Sequence, residues 1–90
     1  MPACSQREQV FLFERSAGLL CRILGLYAAR GIDIGRAEYA YAAQDLMLLK
    51  VAVAPQDADL DETLRVLTDK AATFVGVLAA AEQPVVAAGG

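Results

Sequence analysis

Apolar and polar positions alternate with two different periods along this chain, and the switches between them mark out its elements. Val10-Phe11-Leu12-Phe13 is a short apolar run between Gln9 and Glu14. Its aromatic and β-branched content predicts a strand over residues 9–14. Val10 and Leu12 point to one side of that strand and Phe11 and Phe13 to the other, so both faces are apolar. Ser16 is placed to N-cap a helix over residues 17–30. Leu19, Leu20, Ile23, Leu24 and Tyr27 give that helix a wide apolar stripe, which Leu26 and Ala28 extend nearly all round. Gly31 suits the position just past the helix end, and Arg30 in the last turn suits the helix dipole.

Extended structure resumes at Ile32-Asp33-Ile34 and is expected to run to residue 42, with Ala37, Tyr39 and Tyr41 on one face and Arg36, Glu38, Ala40 and Ala42 on the other. Ala43-Gln44-Asp45 turns the chain into a third strand over residues 46–53. There Leu46, Leu48 and Lys50 oppose Met47, Leu49, Val51 and Val53. After a loop at Pro55-Gln56-Asp57-Ala58, Asp59 and Glu62 have capping-box spacing. Leu60, Leu64, Leu67 and Ala71 then define an amphipathic helix over residues 60–70. Residues 73–78 read as a fourth strand, and residues 82–90, with Pro84 and Gly89-Gly90, as a flexible tail.

Strand–helix–strand–strand–helix–strand is the ferredoxin-like βαββαβ order, of α+β class. Right-handed crossovers put both helices on one face of a four-stranded antiparallel sheet of order 4-1-3-2. The other face is left bare. The first and fourth strands are neighbours and apolar on both sides, so the bare face is expected to run through Phe11, Phe13 and the fourth strand. A patch of that kind marks an interface, and the simplest expectation is a homodimer, or a higher oligomer.

Composition sharpens this picture. Of the 90 residues, 57% are hydrophobic, and the mean hydropathy is +0.40. Alanine supplies 18 of those apolar residues. The length means one domain, with a thin stability margin if it folds alone. There is no His, so the commonest general base and the commonest nitrogen metal ligand are missing. Two cysteines, Cys4 and Cys21, are too few for a four-ligand zinc site. They read as reduced thiols, with Cys21 a small core residue. The net charge of −3 comes without a basic patch, which argues against a nucleic-acid partner. Charges interrupt every apolar run short of a membrane span, and the polar N-terminus lacks the apolar segment of a signal peptide. The expected location is the cytoplasm, with no membrane partner.

No catalytic site assembles from these residues. Ser5, Ser16 and Cys21 have no evident base. Asp57, Asp59, Asp61 and Glu62 are explained by capping and the dipole of the second helix. Gly18 and Gly25 do not form a phosphate-loop pattern, and Tyr39 and Tyr41 fit packing better than base stacking. What remains is the turn Glu14-Arg15-Ser16-Ala17-Gly18-Leu19-Leu20, whose backbone N–H groups at a helix start attract a carboxylate. Gly18, with no Cβ, lets a small ligand or another backbone approach closely.

The stretch from Arg15-Ser16-Ala17-Gly18-Leu19-Leu20-Cys21-Arg22-Ile23 through Leu24-Gly25-Leu26-Tyr27-Ala28-Ala29-Arg30 to Gly31-Ile32-Asp33-Ile34 resembles the ACT domain. It looks most like that of the acetolactate synthase (acetohydroxyacid synthase) small regulatory subunit. The family pattern there is close to Asn-x-Pro-Gly-x-Leu-x-Arg-[Ile/Val]-x-Gly-Leu-[Phe/Tyr]-x-x-Arg-Gly-[Phe/Ile]-[Asn/Asp]-Ile. The resemblance implies an ACT-like domain over residues 9–81, preceded by an extension over residues 1–8, in a stand-alone, single-domain regulatory protein. It implies pairing of domains through edge strands and a small amino-acid effector at the pair interface, typically valine. It also implies a large thiamine-diphosphate-dependent catalytic subunit as partner in branched-chain amino-acid biosynthesis. The chain itself would hold no cofactor, bind no metal and perform no catalysis. The effector-binding residues it implies are Arg15, Ser16, Ala17, Gly18, Leu19, Leu20, Asp33 and Ile34. Arg15 stands where the family often has Asn, Ala17 where it often has Pro, and Asp33 where it often has Asn. Two arrangements of the new charges are open. Arg15 holds an amino acid's carboxylate while Asp33 holds its ammonium, or the two pair with each other and leave a non-sensing dimerisation module.

Overall fold

The structure is a computed structural model, and it describes residues 7–54 and 60–84. Its order is β1 (Arg7–Glu14), α1 (Ala17–Ala29), β2 (Ile34–Ala43), β3 (Leu46–Val53), α2 (Asp61–Ala72) and β4 (Val77–Pro84). The four strands form one antiparallel sheet in the order β2-β3-β1-β4. Read from the other edge this is 4-1-3-2, the ferredoxin-like arrangement, and both helices cover the same face.

The alternation of β1 decides which residues meet the helices. Phe11 and Phe13 are fully buried, each with 0% exposure, and Gln9 shares their side. From β3, Met47, Leu49 and Val51 complete this layer, and the helices close it with Leu19, Ile23, Leu26 and Tyr27 from α1 and Leu64, Leu67 and Ala71 from α2. The bare face therefore does not run through Phe11 and Phe13. It carries the other set, Val10 and Leu12 on β1 and Leu46, Leu48 and Lys50 on β3. Two apolar faces on one strand leave the choice to the neighbours, and the bulkier aromatic pair takes the closed side, where more apolar area leaves water.

Helix α1 starts as its sequence requires. Ser16 is extended, and its Oγ accepts from the Leu19 backbone N–H at 3.3 Å. The helix ends one residue earlier than expected. Arg30 is the C-cap, and its guanidinium donates to the Leu26 carbonyl at 3.1 Å. Gly31 follows with φ +67°, the left-handed turn that frees the chain toward β2. Cys21 is exposed rather than buried in the core. It sits two residues from Leu19, about 200° round the helix, on the side away from the sheet.

The α2 start differs from the capping-box expectation. The N-cap position is Leu60, which makes no side-chain cap hydrogen bond, while Asp59 lies outside the described residues. Asp61 and Glu62 still occupy the first turn, where they oppose the positive end of the helix dipole. Thr68 is buried and satisfies its hydroxyl on the Leu64 carbonyl at 2.8 Å.

The fourth strand is shifted. Residues 73–76 form a turn, and β4 occupies Val77–Pro84, so the first three residues expected in the tail belong to the sheet. Gly76 sets the boundary. Its φ is +98°, and a Cβ there would stand 2.7 Å from Leu19 Cδ1. The alanines at 79–81 are poor strand formers alone, and pairing with β1 overrides their preference. The register slips between Leu12 and Phe13, an irregularity that lets β4 follow the turn.

Candidate functional site

The turn between β1 and α1 is held from two sides. The Glu14 backbone N–H donates to the Gly76 carbonyl, and that of Arg15 donates to the Asp45 carbonyl, both at 2.9 Å. These bonds tie the entrance of α1 to the α2–β4 turn and to the β2–β3 turn. Arg15, Ser16, Ala17 and Gly18 thus form one exposed ledge at the start of α1, with Ser16 only half-buried. A Cβ at Gly18 would meet only Ser16 Oγ, at 3.6 Å, so the fold itself does not demand glycine there.

The Arg15 guanidinium lies 3.9 Å from the Asp45 carboxylate, with both side chains largely exposed. A hydrogen bond with Tyr41, reinforced by Asp45, pushes Arg15 further above its already high range, so it carries a full charge at any physiological pH. Tyr41 is 67% exposed, and Tyr39 beside it stacks on Phe13 with ring centroids 6.1 Å apart. Both come from β2, whose residues past Ile34 are all exposed. The aromatic pair was not among the site residues expected from the sequence. The signal was present in the alternation Tyr39, Tyr41 beside a two-residue turn, but only the fold shows that this turn meets Arg15.

The remaining expected site residues divide. Leu19 is buried in the core against Gly76, and Leu20 packs partly against the same core. They support the ledge from below. Asp33 and Ile34 lie at the opposite end of α1, a helix roughly 20 Å long, where the Asp33 carbonyl accepts from the Ala54 N–H at 2.9 Å. Asp33 is exposed, and among the described residues its carboxylate joins no ion pair. Within one chain, then, Arg15 pairs with Asp45 and not with Asp33.

Away from the ledge, the described residues contain no group of three or more His, Cys, Asp or Glu able to hold a metal ion. No described helix is long and apolar enough to cross a membrane.

No protein-family model matches the sequence, and no curated protein matches it. Solved structures do. The chain is similar to the C-terminal domain of the MgtC protein from Mycobacterium tuberculosis, with TM-score 0.73 and 15% identity over 94% of this chain and 93% of that one. It is similar to the ACT domain of GTP pyrophosphokinase from Chlorobium tepidum, with TM-score 0.69 and 15% identity over 88% of this chain and 97% of that one. It is also similar to the acetolactate synthase small subunit from Thermotoga maritima, with TM-score 0.67 and 18% identity, covering 96% of this chain but only 50% of that one. At these identities the likeness is one of architecture, and the chain has the ferredoxin-like βαββαβ fold found in ACT domains.

Proposed function

We propose that this chain is a non-catalytic regulatory domain of ACT type that binds a small amino acid, as in the acetolactate synthase small subunit it resembles. The observation that carries this reading is the placement of Arg15 and Asp33 about the exposed strand β2. Arg15 stands beside the C-terminal end of β2 through Tyr41 and Asp45, and Asp33 precedes its N-terminal end. Among the described residues, nothing pairs with the outer edge of β2. When two such edges pair antiparallel about a two-fold axis, the start of one β2 lies beside the end of the other. Arg15 then faces Asp33 of the partner subunit across a cleft floored by Tyr39 and Tyr41. A zwitterion of valine size spans that gap, its carboxylate on Arg15 and the N–H groups at Gly18, its ammonium on Asp33 of the partner subunit.

The effector acts by binding more tightly to one arrangement of the pair than to another, which changes how the pair meets a large catalytic subunit in the cytoplasm. Isothermal titration with valine, leucine, isoleucine and other amino acids tests the reading. Saturable heat with one of them, lost in Arg15→Ala and in Asp33→Asn, is expected. A second reading has its own support, since Tyr41 and Asp45 already engage the Arg15 guanidinium within the chain. No heat with any amino acid from a protein that still pairs identifies a non-sensing dimerisation module instead.

A further inference from the structure

We propose that Asp45 sets the affinity of the ledge, as a built-in rival that holds the Arg15 guanidinium until a ligand carboxylate takes its place. The proposal rests on the amino-acid reading given above and adds a threshold to it. Few groups at the ledge are able to bind a carboxylate. The Arg15 backbone N–H is taken by the Asp45 carbonyl at 2.9 Å, and that of Leu19 by Ser16 Oγ at 3.3 Å. Ala17 and Gly18 stand at the first two helical positions, whose N–H groups have no acceptor inside the helix. A carboxylate therefore meets these two donors and the Arg15 side chain, and the charged donor gives the stronger bond.

That donor is already shared. The β2–β3 turn, Gln44-Asp45, brings the Asp45 carboxylate to 3.9 Å from the guanidinium. The same residue's main-chain carbonyl holds the Arg15 N–H, so the turn stays beside the ledge even when the Asp45 side chain swings off. The guanidinium also hydrogen-bonds Tyr41 on β2. Both members of the ion pair are largely exposed, at 56% and 80%, so water screens the pair and it opens at small cost. Asp45 thus competes with a ligand and does not close the site. A bound carboxylate displaces it, and the ledge fills at a higher ligand concentration than it would with a neutral residue at position 45. The competition is confined to anions. A ligand without a carboxylate makes no demand on Arg15 and gains nothing from the loss of Asp45.

Isothermal titration of valine, leucine and isoleucine into the wild type and into Asp45→Asn tests the proposal, each protein first checked for native circular dichroism. The substitution keeps the main-chain carbonyl and the size of the side chain and removes only the charge. The amino acid that binds is expected to bind Asp45→Asn about two- to five-fold more tightly, the scale of an exposed ion pair. Its affinity for the variant is expected to fall more steeply with added salt, because binding then creates an ion pair at Arg15 where the wild type exchanges one for another. The corresponding amino-acid amide, which has no carboxylate, is expected to gain nothing from the substitution. Heat seen with Asp45→Asn alone supports the proposal too, as a rival that the wild-type ligand fails to displace. Binding to Asp45→Asn that equals or falls below that of the wild type overturns the proposal and leaves the amino-acid reading standing. An amide that gains as much as the acid overturns it as well. No heat from any of the three amino acids with either protein overturns both.

Discussion

The Tyr27 hydroxyl donates to Gln9 Oε1 at 3.0 Å, inside the core, and so joins α1 to β1 by a polar bond where both side chains are fully buried. The Gln9 amide passes the chain on, donating to the Glu82 carboxylate at 3.3 Å on β4. Three elements are thereby keyed to one another by groups that water cannot satisfy, which disfavours slipped alternatives of a largely Leu, Val and Ala core.

Burial raises the Tyr27 phenol well above the ordinary tyrosine range, with a smaller push from Glu82. The protonated form is thus favoured in the folded state. Its stabilising effect is complete below the unfolded pKa of about 10 and is lost as pH rises above it. Chemical denaturation at a series of pH values should show stability declining above about pH 10. Tyr27→Phe should remove that part of the decline, at a cost of roughly 1–3 kcal/mol at neutral pH from the orphaned Gln9 carbonyl.

Phe13 and Leu12 are neighbours with opposite fates. Phe13→Ala empties a fully buried site and should cost roughly 3–5 kcal/mol, enough to unfold much of a small domain. Leu12→Ala, on the helix-free face, should cost roughly 1–2 kcal/mol in dilute solution. Urea melts of the two variants check the order, and equal costs would contradict the assignment of faces.

Gly76→Ala forces a side chain onto a φ of +98° and into contact with Leu19. A cost of roughly 1–3 kcal/mol is expected, which lowers the thermal midpoint by about 5–15 °C in a domain of this size.

Gly18→Ala is the opposite case. The fold has room for its Cβ, so the melting midpoint should hold or rise slightly. Effector heat should weaken, because the methyl stands where a ligand carboxylate approaches the first N–H groups. Unchanged heat would remove Gly18 from the binding ledge.

The architecture was legible because its signals were local. Ser16, Gly31, the stripe from Leu19 to Tyr27 and the alternation of β3 each specify geometry within a few residues. The sidedness of β1 was not legible, since Val10, Phe11, Leu12 and Phe13 are apolar whichever way they point. The start of β4 was misplaced because Phe74 and Val75 look strand-like, and the positive φ of Gly76 is written only in the turn that folding builds. Of the candidate site, Arg15 to Gly18 stayed together as one ledge. Asp33 did not join them, because the length of α1 separates its start from Asp33, and a linear motif does not say whether two of its members meet in the same chain.

Among the described strands β2 pairs only with β3, and past Ile34 its side chains are exposed, with Tyr39 stacked on Phe13 as its one ring contact to the core. Opening it breaks backbone hydrogen bonds and lifts Tyr39 from Phe13, but leaves both helices packed on the remaining three strands. Its amides should therefore exchange with deuterium well before those of β1, through a local event that leaves the core intact. The domain is in this sense two thermodynamic parts, a closed core and a loosely held strand. Whatever grips the outer edge of β2 adds its binding free energy to that strand alone, so order there reports occupancy rather than folding.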